Sequence, residues 1–237
     1  MASILTIAND VADDLALVRV TTLFDVTDEG DQTSRQLLRS LTRVCRHLIS
    51  YWNWPAVTAE HTFTSGTSGA AQSSAIPSTL LRVLPMTMYD RTNDVRVEGP
   101  LTPSEWQERQ ALTVNIRPAF MTRGRTLYLS SPHATGATIA YEYVVNSIGT
   151  ASDGSTRRAE RFTTDTDLTY WSDELIHLGM VWAMKHRDGL TNNADFEAFQ
   201  LRANDEITRE AIGDVINMSP RPISDDVYVP EGTWDIT

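Results

Sequence analysis

Apolar residues recur at three- and four-residue intervals at both ends of the chain and alternate with polar ones in its middle. Residues 4–18 place Ile4, Ile7, Val11 and either Leu15 or Val18 on one helical face, with Thr6 as the candidate N-cap. Residues 32–53 carry the strongest early stripe: Leu37, Leu41, Val44 or Cys45, Leu48 and Trp52, behind Asp31 as N-cap. Tyr51, Trp52 and Trp54 then cluster ahead of Pro55, which disfavours helical geometry at Trp54 and should end the helix. Beyond it the period becomes two, with Val57, Ala59, His61 and Phe63 alternating with Thr58, Glu60, Thr62 and Thr64. Tyr51, Trp52, Trp54 and Pro55 therefore mark a structural seam, where bulky rings fill the joint between helix and sheet. Trp52 is expected to be buried there.

The Gly/Ser-rich run at 65–75 predicts a flexible loop. Residues 80–89 suit a strand pair or a buried strand, bent at Pro85, and a turn at 90–94 leads to a short strand at 95–99. Thr102, Pro103 and Glu105 form a capping box with proline at the first helical position, predicting a helix over 103–111. Strand pattern returns over 112–121. Residues 123–131 and 137–147 then predict a hairpin across PHATG, with Ile139, Tyr141, Tyr143 and Val145 on one face. Helical spacing resumes at Ser172, an N-cap followed by Asp173 and Glu174. Leu175, Leu178, Val181 or Trp182 and Lys185 share one side, and Ile176, Met180 and Met184 broaden it, as expected of a central helix ending before Gly189. Asn192 or Asn193 caps a last helix running through Ile212, with Phe196, Phe199, Ala203 and Ile207 inward and Gly213 as its stop. Residues 214–237 have three prolines and no periodicity. The pattern as a whole predicts an α+β fold. An antiparallel helical bundle (1–54 and 166–213) carries a long inserted antiparallel β domain (55–165) with one short helix, and an extended C-terminal tail (214–237) follows.

Charge refines this picture. The net charge of −11 is concentrated late: residues 163–213 hold 4 basic against 10 acidic side chains, and residues 214–237 hold 1 against 5. Tight nucleic-acid binding needs basic surface, which the chain as a whole lacks. Arg35, Arg39, Arg43 and Arg46 form a local basic stripe, read either as a solvated face paired with acids of a neighbouring helix or as a contact to a partner, a second subunit or DNA. With 237 residues the chain can bury a substantial core. No apolar run reaches the length of a membrane span, and the acidic N-terminus does not read as a secretory signal. The single Cys45 excludes a disulfide framework or cysteine-rich zinc site, reads as a small core residue, and suggests synthesis in a reducing compartment.

No nucleotide-binding loop or nucleophile elbow is present. His47, His61, His133, His177 and His186 form neither an HxxxH nor an HExxH pair, so no metal or other cofactor is expected. The densest acids, Asp165, Asp167, Asp173 and Glu174, leave open a carboxylate pair suited to glycoside hydrolysis, although helix N-terminal stabilisation accounts for the last two. No constellation identifies catalytic residues.

The order of elements carries a resemblance: an arginine-striped helix ending in YWNWP, then HTF, DRTNDVRVEGPLTPSEWQ, RGRTLYLSSPHATGATIAYEYV, TTDTD and ELIHLGMVWAMKHRDGL. It resembles the head-to-tail adaptor proteins of tailed bacteriophages, which include the tail tubular or gatekeeper proteins of podoviruses. The match rests on Leu101–Trp106, Gly124–Tyr143 and Leu178–Trp182. The resemblance implies a structural virion protein at the neck between capsid and tail, assembled in the host cytoplasm as a ring, twelve-membered in such proteins, beneath the portal protein. The C-terminal extension would dock on the portal, and the opposite end would receive the tail or nozzle protein. Double-stranded DNA would pass through a lumen that acidic side chains keep from binding it, with no membrane involved. Tyr228, Val229, Pro230, Trp234 and Ile236 are the expected docking residues, with packing of Trp234 on the chain's own bundle as the other reading. Competing functions are a phage cell-wall (peptidoglycan) hydrolase using paired carboxylates and a carbohydrate-binding β domain on a helical stalk.

Overall fold

The computed structural model describes residues 1–24, 32–111, 117–190 and 193–211, and among these the chain combines five α-helices with antiparallel sheets. The expected caps Asp31 and Asn192, the strand pattern at 112–116, and everything from Ile212 onward lie outside the described residues. That includes Tyr228, Val229, Pro230, Trp234 and Ile236.

Helix α1 (Ile4–Asp14) starts one turn earlier than a cap at Thr6 would allow, because the Ser3 hydroxyl accepts the Thr6 N–H. Ile4, Ile7 and Val11 are buried as expected. The helix stops at Asp14 and Ala16 takes a positive φ of 53°, so the helical stripe lapses: Leu15 packs on the core while Val18 is 81% exposed. Helix α2 (Gln32–Tyr51) buries Leu37, Leu41, Val44, Cys45 and Leu48. Helix α4 (Asp173–Arg187) is capped by Ser172, whose hydroxyl accepts the Leu175 N–H, and ends before Gly189 at φ +70°. It packs against α1, α2 and α5 (Asn193–Ala211), which buries Phe199 and Ala203.

Gly179 on α4 lets α2 and α5 approach closely. A Cβ there would lie 2.6 Å from Val44 Cγ1 and 2.9 Å from Phe199 Cε2, so a side chain would push α2 and α5 away from α4. Alanine gains about 1 kcal/mol of helix propensity over glycine, but overpacking a tight core costs typically 1–3 kcal/mol. We expect Gly179→Ala to lower stability by up to about 2 kcal/mol net, read from the midpoint of urea denaturation. A raised midpoint would show that the contact yields freely.

The main sheet is built on β7 (Thr138–Val145). Strand β1 (Thr58–Thr64) pairs antiparallel along its whole length, from Thr58 opposite Val144 to Thr64 opposite Thr138. On the other side lie β2 (Leu80–Val83) and β3 (Tyr89–Asp90), and β3 continues to β4 (Val95–Arg96). Ile139, Tyr141, Tyr143 and Val145 share one face of β7, as the alternation predicts, and enter a β-side core with Phe63, Phe120, Leu127 and Leu129. Val144, on the opposite face, enters the helical core with Val57, Leu84 and Trp54. One strand thus contributes to both cores because successive side chains point to opposite faces.

Three local expectations change. The hairpin across PHATG does not form. Strand β6 (Thr126–Leu129) pairs instead with β5 (Phe120–Arg123), across a turn where Gly124 has φ +58°. The PHATG segment is held elsewhere: Ala134 O accepts the Ser65 hydroxyl, and the Gly136 N–H donates to Ser65 O. This leaves β7 to β1, β2 and β3. The Gly/Ser run at 65–75 is not a loose loop either. Gln72 is buried, its amide nitrogen donating to Thr67 O and Ala70 O and its oxygen accepting the Gly66 N–H, while Gly69 and Gln72 donate backbone N–H groups to Leu129 and Leu127. A low-complexity composition can therefore fold when one amide satisfies the backbone groups of its own turn. The capping box does form, with α3 (Pro103–Ala111) beginning where Thr102 N–H donates to Glu105 and Thr102 Oγ1 accepts from Glu105 N–H, and Trp106 buried.

The third change concerns the seam. Helix α2 ends at Tyr51, and Trp54 is extended ahead of a 3-10 turn at Pro55–Val57, with proline at its start. Trp52 is 43% exposed, not buried, whereas Trp54 is 0% exposed. The helical spacing that placed Trp52 on the apolar stripe no longer applies once the helix has ended, and the extended backbone turns Trp54 inward instead.

Candidate functional site

The expected site residues fall in three places. At the seam, Trp54 packs edge-on against Trp171, with ring centroids 6.1 Å apart at 82°. Its indole N–H donates to Leu48 O at 2.7 Å, satisfying one of the carbonyls that a helix end leaves open. Arg82 on β2 donates to Trp52 O and Asn53 Oδ1, clamping the exit from α2 to the sheet. Tyr51 is exposed and its hydroxyl reaches Asn204 on α5.

The acidic cluster is consumed by the chain itself. Asp167 is 0% exposed. Its carboxylate accepts Arg158 Nε at 3.0 Å and Nη2 at 2.9 Å, the Thr163 N–H at 2.7 Å, the Thr164 N–H at 3.1 Å and the Thr164 hydroxyl at 2.6 Å. Burial by itself raises this carboxyl pKa, but the guanidinium and the converging N–H and O–H donors outweigh it and hold the group below its ordinary value. Asp165 accepts the Leu23 N–H at 2.7 Å and the Thr22 hydroxyl at 2.5 Å. Asp173 accepts the Ala2 N–H at 2.9 Å, and Glu174 pairs with Arg202 at 3.2 Å. With Ile4 N–H donating to Asp167 O, these contacts fasten both ends of the N-terminal segment to the approach to α4. Sequence reasoning recognised the TTDTD run but missed its partner Arg158. The available signal was the Thr-Thr-x-x-Asp spacing, which lets a carboxylate accept from residues three and four before it.

Arg35, Arg39, Arg43 and Arg46 are all exposed on α2. Among the described residues none of the four has an ion pair, so pairing with acids of a neighbouring helix is not observed. Arg46 Nη2 donates instead to the backbone carbonyl of Glu160 at 2.7 Å. Arg39, Arg43 and Arg46 edge a groove of about 800 Å³ between α2 and residues 160–163, floored by Phe24, Leu38 and Phe162. The second wall was invisible in sequence, because residues 160–163 reach α2 only through the folded chain.

Among the described residues no group of three or more His, Cys, Asp or Glu could hold a metal ion, and no helix is long and apolar enough to cross a membrane. Cys45 is fully buried in the helical core, which pushes its thiol pKa up and disfavours the reactive thiolate.

The family model described as SU10 adaptor protein matches residues 2–224, and the chain belongs to that family of phage head-to-tail adaptors. It is a structural component of a bacteriophage virion, a placement that implies association with portal and tail components. No curated protein matches the chain. Nothing supports the alternative of a peptidoglycan hydrolase, and Asp165, Asp167 and Asp173 already accept hydrogen bonds from the chain itself.

Proposed function

We propose that this chain is one subunit of a ring, twelve-membered by family resemblance, that lies beneath the portal, joins capsid to tail and lets double-stranded DNA pass. The match over residues 2–224 carries this reading, because it spans both the helical and the β-side cores. In it, residues 1–54 and 166–213 act as a helical bundle, residues 55–165 as the inserted β domain, and residues 214–237 as the portal-docking tail. Tyr228, Val229, Pro230, Trp234 and Ile236 anchor the tail: aromatic and aliphatic side chains in an extended segment suit capture by a groove on a partner. The net charge of −11 supports a lumen along which DNA slides without sticking. The ring assembles in the host cytoplasm and occupies the virion neck, where its far end receives the tail or nozzle protein.

Electron microscopy of the purified chain mixed with the portal protein of its own phage tests the proposal. A ring of these subunits stacked coaxially on the portal is the expected image, and a chain shortened at residue 213 should fold but no longer bind. A full-length chain that never associates with the portal would refute it.

A further inference from the structure

We infer that the arginine-edged groove on α2 is the seat for a second copy of this chain, which inserts the corner that follows α1. The inference deepens the ring reading and rests on the self-association proposed there. The groove is concave, with an apolar floor of Phe24, Leu38 and Phe162 and a rim carrying Arg39, Arg43 and Arg46. These arginines stand free of ion pairs among the described residues, and Arg161 adds a further positive charge at the same wall. Among the described residues that line it Glu160 is the one acid, and its backbone carbonyl is held by Arg46.

The corner has the matching form. Helix α1 stops at Asp14, Ala16 takes a positive φ, and Leu17 and Val18 stand exposed after it as an apolar knob. Asp13 and Asp14 close the last turn of α1 just before it and Asp10 lies one turn back, all three exposed and lining a concavity shared with Asp173, Glu174 and His177 of α4. Arg19 pairs with Asp13, and His177 lies 3.1 Å from Asp14, while Asp10 has no ion pair within 4 Å among the described residues, although its charge also acts on Arg19. In the inferred contact, an exposed apolar pair just past an acidic helix end enters, on another copy, an apolar groove edged by arginines. Desolvating the knob supplies attraction, and the opposed charges fix orientation and exclude the like-on-like arrangement. The knob and the hole share no residue, so a copy can use both at once. Such a heterologous contact builds rings when its rotation closes.

Paired cysteines test this in the full chain, since the buried Cys45 stays out of reach of the reagent. Affinity-tagged Val18→Cys chains are mixed with untagged Thr42→Cys chains at high concentration and treated with a short bismaleimide. The expected product is a Val18–Thr42 adduct between copies, with none when Leu201→Cys, exposed on α5, replaces Thr42→Cys. Adding Arg39→Glu and Arg43→Glu to the groove partner should reduce the adduct by about tenfold or more, and adding Asp10→Arg and Asp14→Arg to the other partner should restore it. No adduct, or an adduct indifferent to charge reversal, overturns the inference and leaves the groove to a segment of a portal or tail protein. The ring reading fails separately, in the portal experiment.

Discussion

Replacing Asp167 by alanine should destabilise the protein by about 3–5 kcal/mol, the usual cost of removing one partner from a buried ion pair. The Arg158 guanidinium is only 19% exposed and would keep its charge without its bidentate partner, while the Thr163 and Thr164 N–H groups would lose their acceptor. Because Asp165 and Asp173 fasten Leu23 and Ala2 within the same region, loosening residues 158–167 should also free the N-terminal segment from α4. Urea denaturation followed by circular dichroism would measure the loss, and amide exchange at Ile4 would report the release. A change below about 1 kcal/mol would mean the carboxylate is no more than a surface group in effect.

Asp167 also gives the stability a pH signature with a definite sign. Its folded pKa is lowered, so the folded state favours the ionised form more than the unfolded chain does. The resulting stabilisation is fully present above the unfolded carboxyl value, about 3.9, and is lost as the pH falls through that value toward the folded one. Asp167→Asn should therefore lie well below the wild type at neutral pH, and the gap should narrow below about pH 4. A gap of constant size across that range would show that the asparagine acts by packing alone.

Trp54→Ala should cost a further about 3–5 kcal/mol in a separate variant, whereas Trp52→Ala should change stability by no more than about 1 kcal/mol. Trp54 is fully buried, contacts Trp171 edge-on and closes the carbonyl of Leu48; Trp52 is 43% exposed. Trp54→Phe separates the two contributions. It keeps most of the ring and loses the indole hydrogen bond, for an expected cost of about 1 kcal/mol beyond the lost volume. Thermal melts of the three variants would order them; equal losses at positions 52 and 54 would contradict the burial described here.

Periodicity made the helices legible because each has a stripe that matches its geometry. Leu37 through Leu48 in α2 lie where spacing alone placed them, whereas in α4 Leu175, Ile176, Met180 and Met184 are fully buried and Leu178, Trp182 and Lys185 of the expected stripe only partly so. Local hydrogen bonding made the capping box at Thr102 and the cap at Ser172 legible, since both partners lie within three residues. The alternation of β1 and β7 was legible, but their pairing was not: Phe63 opposite Ile139 joins positions far apart in sequence, and short-range pattern favoured the adjacent β6 instead. Trp52 and Trp54 were indistinguishable as apolar residues near a proline until the backbone direction after Tyr51 was known.

The candidate surfaces divide in the same way. The four arginines of α2 stand out in sequence because a helix returns every third or fourth residue to one face. What they border depends on residues 160–163, brought beside α2 by the fold through contacts such as Arg46 to Glu160. By itself the sequence determined the helical faces, the caps and the adaptor-like order of elements, all governed by interactions within a few residues. Only the tertiary structure decided which tryptophan fills the seam, which strand joins the two cores, and that Asp167 meets Arg158. Those outcomes depend on which distant segments exclude water together, and no local period encodes that.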